Sequence, residues 1–165
     1  PAADDGGSGV AVLLELARNL GQNPIDMGID IILFDAEDYG ESEGNNPTSW
    51  CLGSQHWSRN PHRSGYQARY GILLDMVGSK NARFTKEEVS RYYAPQVVEK
   101  FWRLAKNMGF ANYFINEESR ALTDDHYFVN TIAKIPMIDI IDKRTLRAVG
   151  QTLTAAIYNE SIGKF

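Results

Sequence analysis

Carboxylates are the residues of this chain most able to do chemistry, and their spacing is not uniform. Asp4 and Asp5 stand directly before Gly6-Gly7-Ser8-Gly9, and Asp35, Glu37 and Asp38 close an apolar run. Asp75 ends a second apolar run, and Asp124 and Asp125 lie in a polar stretch ahead of a third. Ligands of open α/β sheets bind outside the carboxyl ends of the strands, so acids at these places can converge. Converging carboxylates repel one another unless a proton or a cation intervenes, and their oxygens are suitable zinc ligands. A set of unrelated surface acids is the competing reading, and spacing does not choose between the two. The adjacent Glu37 and Asp38 add one point. Neighbouring side chains of extended backbone face opposite ways, so one can meet a metal while the other meets substrate or water.

Other motifs fail on spacing. A dinucleotide fingerprint needs glycine where Val12 stands, a P-loop needs a Gly-Lys-Ser/Thr ending, and a nucleophile elbow needs glycine where Val10 stands. The Gly6-Gly7-Ser8-Gly9 turn keeps a geometric role, letting a helix start pack closely and aim Asp5. His56, His62 and His126 lack the His-x-x-x-His spacing of a helical metal site. His56 and His62 read as structural or solvated; His126, beside Asp124 and Asp125, reads as a hydrogen-bonding neighbour rather than a ligand. Cys51, the single cysteine, reads as buried packing with no base in sight. Tyr92, Tyr93, Trp102, Tyr113 and Phe114 read mostly as core.

The acids need elements to position them. Val10, Leu13, Leu14, Ala17 and Leu20 recur at helical spacing, with Ser8 as the expected N-cap and Gly21 as the stop. Ile29–Asp35 reads as a buried, parallel strand, as do Tyr70–Met76 and Lys134–Ile141. Residues 36–56 read as one long loop, a length that in compact domains usually has a function. Pro95 opens a helix that runs through Met108, and Thr145–Glu160 reads as a last helix. Alternating helices and buried strands predict an α/β fold, a three-layer sandwich with a mostly parallel central sheet flanked by helices.

Composition narrows the rest. The chain has 165 residues, 43% apolar and 23% charged, which suits one globular domain over 1–165. Seventeen basic against twenty-one acidic residues leave a net charge of -4, without the basic surplus of a nucleic-acid binder. No apolar run reaches the ~18 residues of a membrane span. A single cysteine excludes an internal disulfide framework.

Taken together, the segments resemble one family. Ala3-Asp4-Asp5-Gly6-Gly7-Ser8-Gly9-Val10, followed by Leu13-Leu14-Glu15, is similar to the metal-binding Asp motif of zinc aminopeptidases and of animal-type and bacterial glutaminyl cyclases. Phe34-Asp35-Ala36-Glu37-Asp38 resembles their acidic pair, and Leu52-Gly53-Ser54-Gln55-His56 the segment after it. Leu74-Asp75-Met76-Val77-Gly78, with Asn81 and Phe84, resembles the next acid strand, and Thr123-Asp124-Asp125-His126 the late acid turn. The matches keep the family's order over nearly the whole chain.

The resemblance implies roles. Asp5 and Asp38 would be zinc ligands and Glu37 the general acid/base. Asp75 would bind a second metal in an aminopeptidase or hydrogen-bond near the shuttle in a cyclase, and Asp124 would join a cyclase's proton network. Trp50, in the long loop, is expected to wall the substrate pocket, with plain packing as the alternative. The cofactor implied is zinc, one ion for a cyclase and two for an aminopeptidase, and the substrates are peptide or protein N-termini. Glutaminyl cyclisation leads, on the insertion between Asp38 and Gly53 and on the run from Leu74 to Phe84. An aminopeptidase, or a non-catalytic binding domain of the same fold, are the alternatives. By resemblance the protein is exported, periplasmic or envelope-associated. The family's histidine ligands fall before the Asp5 motif and in a loop at Ile141/Asp142. Both segments are therefore expected to be absent from this sequence, and with them the imidazole ligands.

Overall fold

The computed structural model describes residues 3–41, 46–141 and 146–163, with side chains in the last stretch from 152 onward. The expected seam at Ile141/Asp142 and the apolar positions Leu146 and Val149 lie outside the described residues or side chains.

Helix α1 spans Gly7–Gln22. Val12 and Leu16 are buried on it, with Leu13 and Leu20 packed alongside, a stripe of helical period. Its ends differ from expectation. Gly6, at φ 70, is the N-cap, a conformation open to glycine, so Ser8 falls inside the first turn. The Ser8 hydroxyl is spent elsewhere: it donates to the Asp4 carbonyl and accepts from the Val77 N–H at 3.0 Å. Gly21 does not stop the helix, which continues to Gln22.

Strands β1 (Gly71–Asp75) and β4 (Met137–Ile141) pair in parallel, Gly71 opposite Met137 through Asp75 opposite Ile141. Strand residues alternate between faces. Ile72, Leu74, Ile138 and Ile140 join one apolar cluster with α1, α4 (Pro95–Asn107) and α6 (Leu146–Ser161). Leu73 and Met137 face the opposite layer, against Val129, Ile135, Phe34 and Trp57. Asp75 and Asp139 share the parity of Leu73 and Met137 and so belong to that second face. Two further strands, β2 (Phe84–Lys86) and β3 (Phe114–Glu118), pair in parallel beside α4. There the rings of Phe84 and Phe114 meet at a tilt with centroids 5.0 Å apart, and the Trp102 indole N–H donates to the Ile115 carbonyl at 3.0 Å.

The second layer holds α2 (Leu52–Arg59), α5 (Asp125–Phe128) and a π-helical turn at Val129–Ala133. Asn130 ties this layer to β4. Its amide donates to the carbonyls of His126 and Met137, both at 2.8 Å, and its oxygen accepts from the Met137 N–H at 2.9 Å. The fold is thus α/β, with parallel strands between two helical layers.

Three expectations are corrected. Ile29–Asp35 forms no ladder among the described residues. A cleft of about 320 Å³ separates it from β1, and Ile31 and Leu33 are 40% and 63% exposed. Its apolar composition reads like a buried strand, but a ladder needs a partner at ~4.8 Å, and the cleft keeps β1 away. Residues 36–56 are not loop throughout, because a 3-10 turn (Pro47–Ser49) and the start of α2 fall inside them. Tyr92 is 77% exposed and Tyr93 is also exposed, both near the end of α3 (Glu88–Tyr93), whereas Trp102 and Phe114 are buried. No described helix is long and apolar enough to cross a membrane.

Candidate active site

The acid-bearing segments are fixed by backbone bonds. Residues 35–37 are held by the first turn of α2: the N–H groups of Cys51, Leu52 and Gly53 donate to the carbonyls of Glu37, Ala36 and Asp35 at 2.9, 3.1 and 3.1 Å. Ala36 and Cys51 both take left-handed backbone, at φ 52 and 55, and Met76, next to Asp75, does so at φ 44. Positive φ costs a non-glycine residue free energy and collects at functional sites. Here it flanks Glu37 and Asp75.

Asp5 is brought to Asp75 by close packing. A Cβ on Gly9 would fall 2.5 Å from the Leu74 carbonyl oxygen, so α1 approaches β1 only as glycine. The turn after β1 is then laced to the head of α1, with the Gly78 N–H donating to Asp4 Oδ1 at 2.6 Å. A Cβ on Gly78 would lie 2.7 Å from the Ser8 Cβ. Asp4 is therefore the structural acid of the pair, which leaves Asp5 exposed toward the cluster.

The structure brings together most of the acids singled out above. One oxygen each from Asp5, Glu37 and Asp38 lie within 4.8 Å of one another, as do Glu37, Asp124 and the Cys51 thiol. Asp124 caps α5, its side chain accepting from the Asp125 N–H. Asp5, Glu37, Asp75, Asp124 and Asp125 all line one end of the cleft beside β1. Burial, and then Asp124, Asp38, Asp75 and Asp125, push the Glu37 carboxyl up to about 8. Burial, Asp124, Asp5 and Asp125 push Asp75 up to about 7, against a backbone N–H that holds it down. Burial and the acids around it also raise Asp124 and Asp125, Asp125 to about 6. The Cys51 thiol is raised by burial and by Asp125, which leaves it a packed, unreactive group.

Trp50 does not line the cleft. Its ring covers Gly40, where a Cβ would fall 2.0 Å from it, and its carbonyl accepts from Gln55. The aromatic lining comes from Phe34, Trp57, Tyr66 and Tyr70. His62 lies with Trp57, rings 6.3 Å apart, and His56 is exposed. His126 is buried and hydrogen-bonds Glu87 at 3.1 Å, not the acid cluster.

Sequence reasoning missed Glu87 and Asp139, and named Asp125 without giving it a role. Asp139 had a signal, a lone acid inside the apolar run Met137–Ile141, where an acid is not expected without a purpose. Glu87, one of two adjacent glutamates, had none.

The donor set suits a divalent cation. Acid oxygens crowd one place, and none of the ion pairs among the described residues involves them. A cation would relieve the repulsion that raises Glu37 and Asp75. Two or three carboxylates are part of a zinc site; the described imidazole nearest the cluster is His126, which groups with Asp124 and Asp139 and not with Asp5, Glu37 and Asp38.

Comparison with known proteins agrees with this arrangement. The chain is similar to a Zn-dependent exopeptidase from Parabacteroides distasonis, at 48% identity and a TM-score of 0.90 over 96% of this chain. It is as similar to a Bacteroides thetaiotaomicron glutaminyl cyclase bound to N-acetylhistamine, at 47% identity and a TM-score of 0.91 over 96% of this chain. It spans 63% of each of those two chains. Aminopeptidase YwaD of Bacillus subtilis is 36% identical over 80 residues, 48% of this chain and 15% of that protein. The model of Peptidase family M28 matches residues 1–158. An α/β scaffold that gathers carboxylates at the rim of parallel strands, matched over almost its whole length, belongs to peptidase family M28, a family of enzymes.

Proposed function

We propose that this chain carries part of the active site of a zinc-dependent glutaminyl-peptide cyclotransferase, which converts an N-terminal glutamine to pyroglutamate and releases ammonia. Asp5 and Asp38 would hold the ion. A zinc ion there supplies Lewis-acid polarisation of the glutamine γ-carbonyl. The chain's own residues supply the proton traffic. Glu37 takes a proton from the substrate's α-amine as its nitrogen bonds to the side-chain carboxamide carbon, and returns it to the amide nitrogen, which leaves as ammonia.

The observation that carries this reading is the setting of Glu37. Half-buried and ringed by Asp38, Asp75, Asp124 and Asp125, its carboxyl is pushed up to about 8. A carboxyl placed among other carboxylates holds a proton readily, and a cation beside it would bring it back toward the ordinary range, where it can accept a proton and return it. The apolar cleft wall of Phe34, Trp57 and Tyr66 suits a reaction in which water takes no part.

One observation favours a second reading, a co-catalytic aminopeptidase. Asp5 acts on Asp75 strongly enough to raise it, so the two could share a second cation. Glu37 would then activate water for attack on the first peptide bond. The test uses the full-length protein with zinc. Ammonia and pyroglutamyl product from a glutaminyl peptide support the cyclase. Hydrolysis of a leucyl anilide without ammonia release supports the peptidase and overturns the cyclase.

A further inference from the structure

Behind Asp124, away from the cleft, lies a set of groups that this chemistry does not use. Glu87, His126 and Asp139 are each 0% exposed. Glu87 Oε1 accepts from the N–H groups of Val89 and Leu122 at 2.7 and 3.0 Å. Its Oε2 accepts from the Ser90 N–H at 2.8 Å and the Ser90 hydroxyl at 3.0 Å, and lies 3.1 Å from His126 Nε2. With donors on both oxygens, Glu87 has no use for a proton of its own and is an anion. His126 Nε2 must then carry a hydrogen.

That assignment leaves Nδ1. It has no hydrogen-bond partner among the described residues, nor has either carboxyl oxygen of Asp139. The two unpartnered groups face each other, with Nδ1 3.8 Å from Asp139 Oδ2. Asp139 is held there from behind, because its N–H donates to the same Ser90 hydroxyl at 2.9 Å. Burying both groups as they stand is costly; the 3.8 Å gap is longer than a hydrogen bond, but a proton on Asp139 Oδ2 removes a buried charge and aims a donor at Nδ1. Oxygens of Asp124 and Asp139 and a ring nitrogen of His126 also lie within 4.8 Å of one another.

We propose that Glu87, His126 and Asp139 hold one proton between His126 Nδ1 and Asp139 Oδ2, and that Asp139 thereby acts as a positioning residue for Asp124. The inference rests on the reading above only for what Asp124 does. Asp139 is faced by Asp124 and Asp125 on α5, Asp75 on β1 and Glu87 before α3. Its burial and these acids hold its carboxyl well above the usual range, consistent with a retained proton. An ionised Asp139 would repel Asp124, whereas a protonated one facing His126 leaves Asp124 free to serve Glu37.

Two measurements on the zinc-loaded full-length protein test this. The first is ¹⁵N–¹H correlation of the His126 ring, which needs no activity. Nε2 should bear hydrogen throughout pH 5–9, and Asp139→Asn should change the Nδ1 signal. An Nε2 without hydrogen, or an Nδ1 signal indifferent to Asp139→Asn, overturns the proposal. The second is kinetics of Asp139→Asn, where kcat should fall about tenfold or more with KM nearly unchanged. Unchanged kcat in a folded variant overturns the positioning role. If the variant does not fold, the wild-type ring spectrum across pH still decides where the proton lies. If the wild type hydrolyses peptides instead of cyclising them, the cyclase reading fails while the ring spectrum still stands.

Discussion

Two glutamates on the same face of the sheet have opposite fates. Glu37, at the rim, meets Asp38, Asp75, Asp124 and Asp125, and its carboxyl is pushed up to about 8. Glu87, fully buried, is raised by that burial, but His126 and the Ser90 and Val89 N–H groups outweigh it and bring it down to about 2. Burial acts in the same direction on both, and the partners decide the outcome. A carboxylate with donors on both oxygens is architecture. A carboxylate facing only other carboxylates must hold a proton or share a cation, and is free to do chemistry.

The comparison can be broken most sharply at its reactive end. Glu37→Gln should reduce turnover by ~10²–10⁴-fold, the usual worth of a positioned acid/base, and leave the melting temperature unchanged or slightly raised, since a repelled carboxylate is removed. Steady-state kinetics beside thermal melts check this, and retained turnover would take Glu37 out of its role. At the other end, Glu87→Gln should cost about 3 kcal/mol or more, because it strips a charge from a buried, hydrogen-bonded pair. Denaturant unfolding reads that loss directly. A cost near zero would erase the distinction between the two glutamates.

A smaller effect sharpens the geometry. Gly9→Ala puts a methyl 2.5 Å from the Leu74 carbonyl oxygen, so α1 must shift. About 1–3 kcal/mol of stability should be lost, and activity with it, because Asp5 moves with the helix. Equal activity in Gly9→Ala would detach Asp5 from the site.

A further signal is in pH. Folded Glu37, Asp75 and Asp125 bind protons up to about 8, 7 and 6, above the ordinary values of 4.5, 3.8 and 3.8. The folded state therefore holds more protons than the unfolded one across that window, and stability falls as pH rises from about 5 to about 8. Glu87 has the opposite sign, but its contribution is lost only as pH falls toward about 2, outside the window. Melts of metal-free protein should show this slope, and added zinc should flatten it. A metal-free protein that gains stability with pH would contradict the crowding of these acids.

Periodicity made the long elements legible. α4 and β4 carry a stripe and a run that match their buried faces and β1 a run that is half-buried, whereas α1 was legible as a helix but buries Val12 and Leu16 and leaves the expected Leu14 and Ala17 exposed. α2 escaped because its inward residues are Ser54, Gln55 and Ser58, not a hydrophobic stripe. α3 and β2 are too short for a period to emerge, and β3, as long as β1, runs from one buried Phe114 into exposed polar residues. Ile29–Asp35 misled in the other direction, since β-branched composition signals a strand but cannot supply its neighbour. In the site, strand-end placement pointed to Asp5, Glu37, Asp38, Asp75 and Asp124. What composition could not convey was division of labour: Asp4 pins a turn while Asp5 faces the cluster, and Trp50 covers Gly40 while Trp57 lines the cleft.

The most direct test is a ¹³C titration of the glutamate carboxyls in metal-free, full-length protein. The account predicts a midpoint near 8 for Glu37 and none above about 3 for Glu87. Two midpoints near the ordinary 4.5 would contradict it.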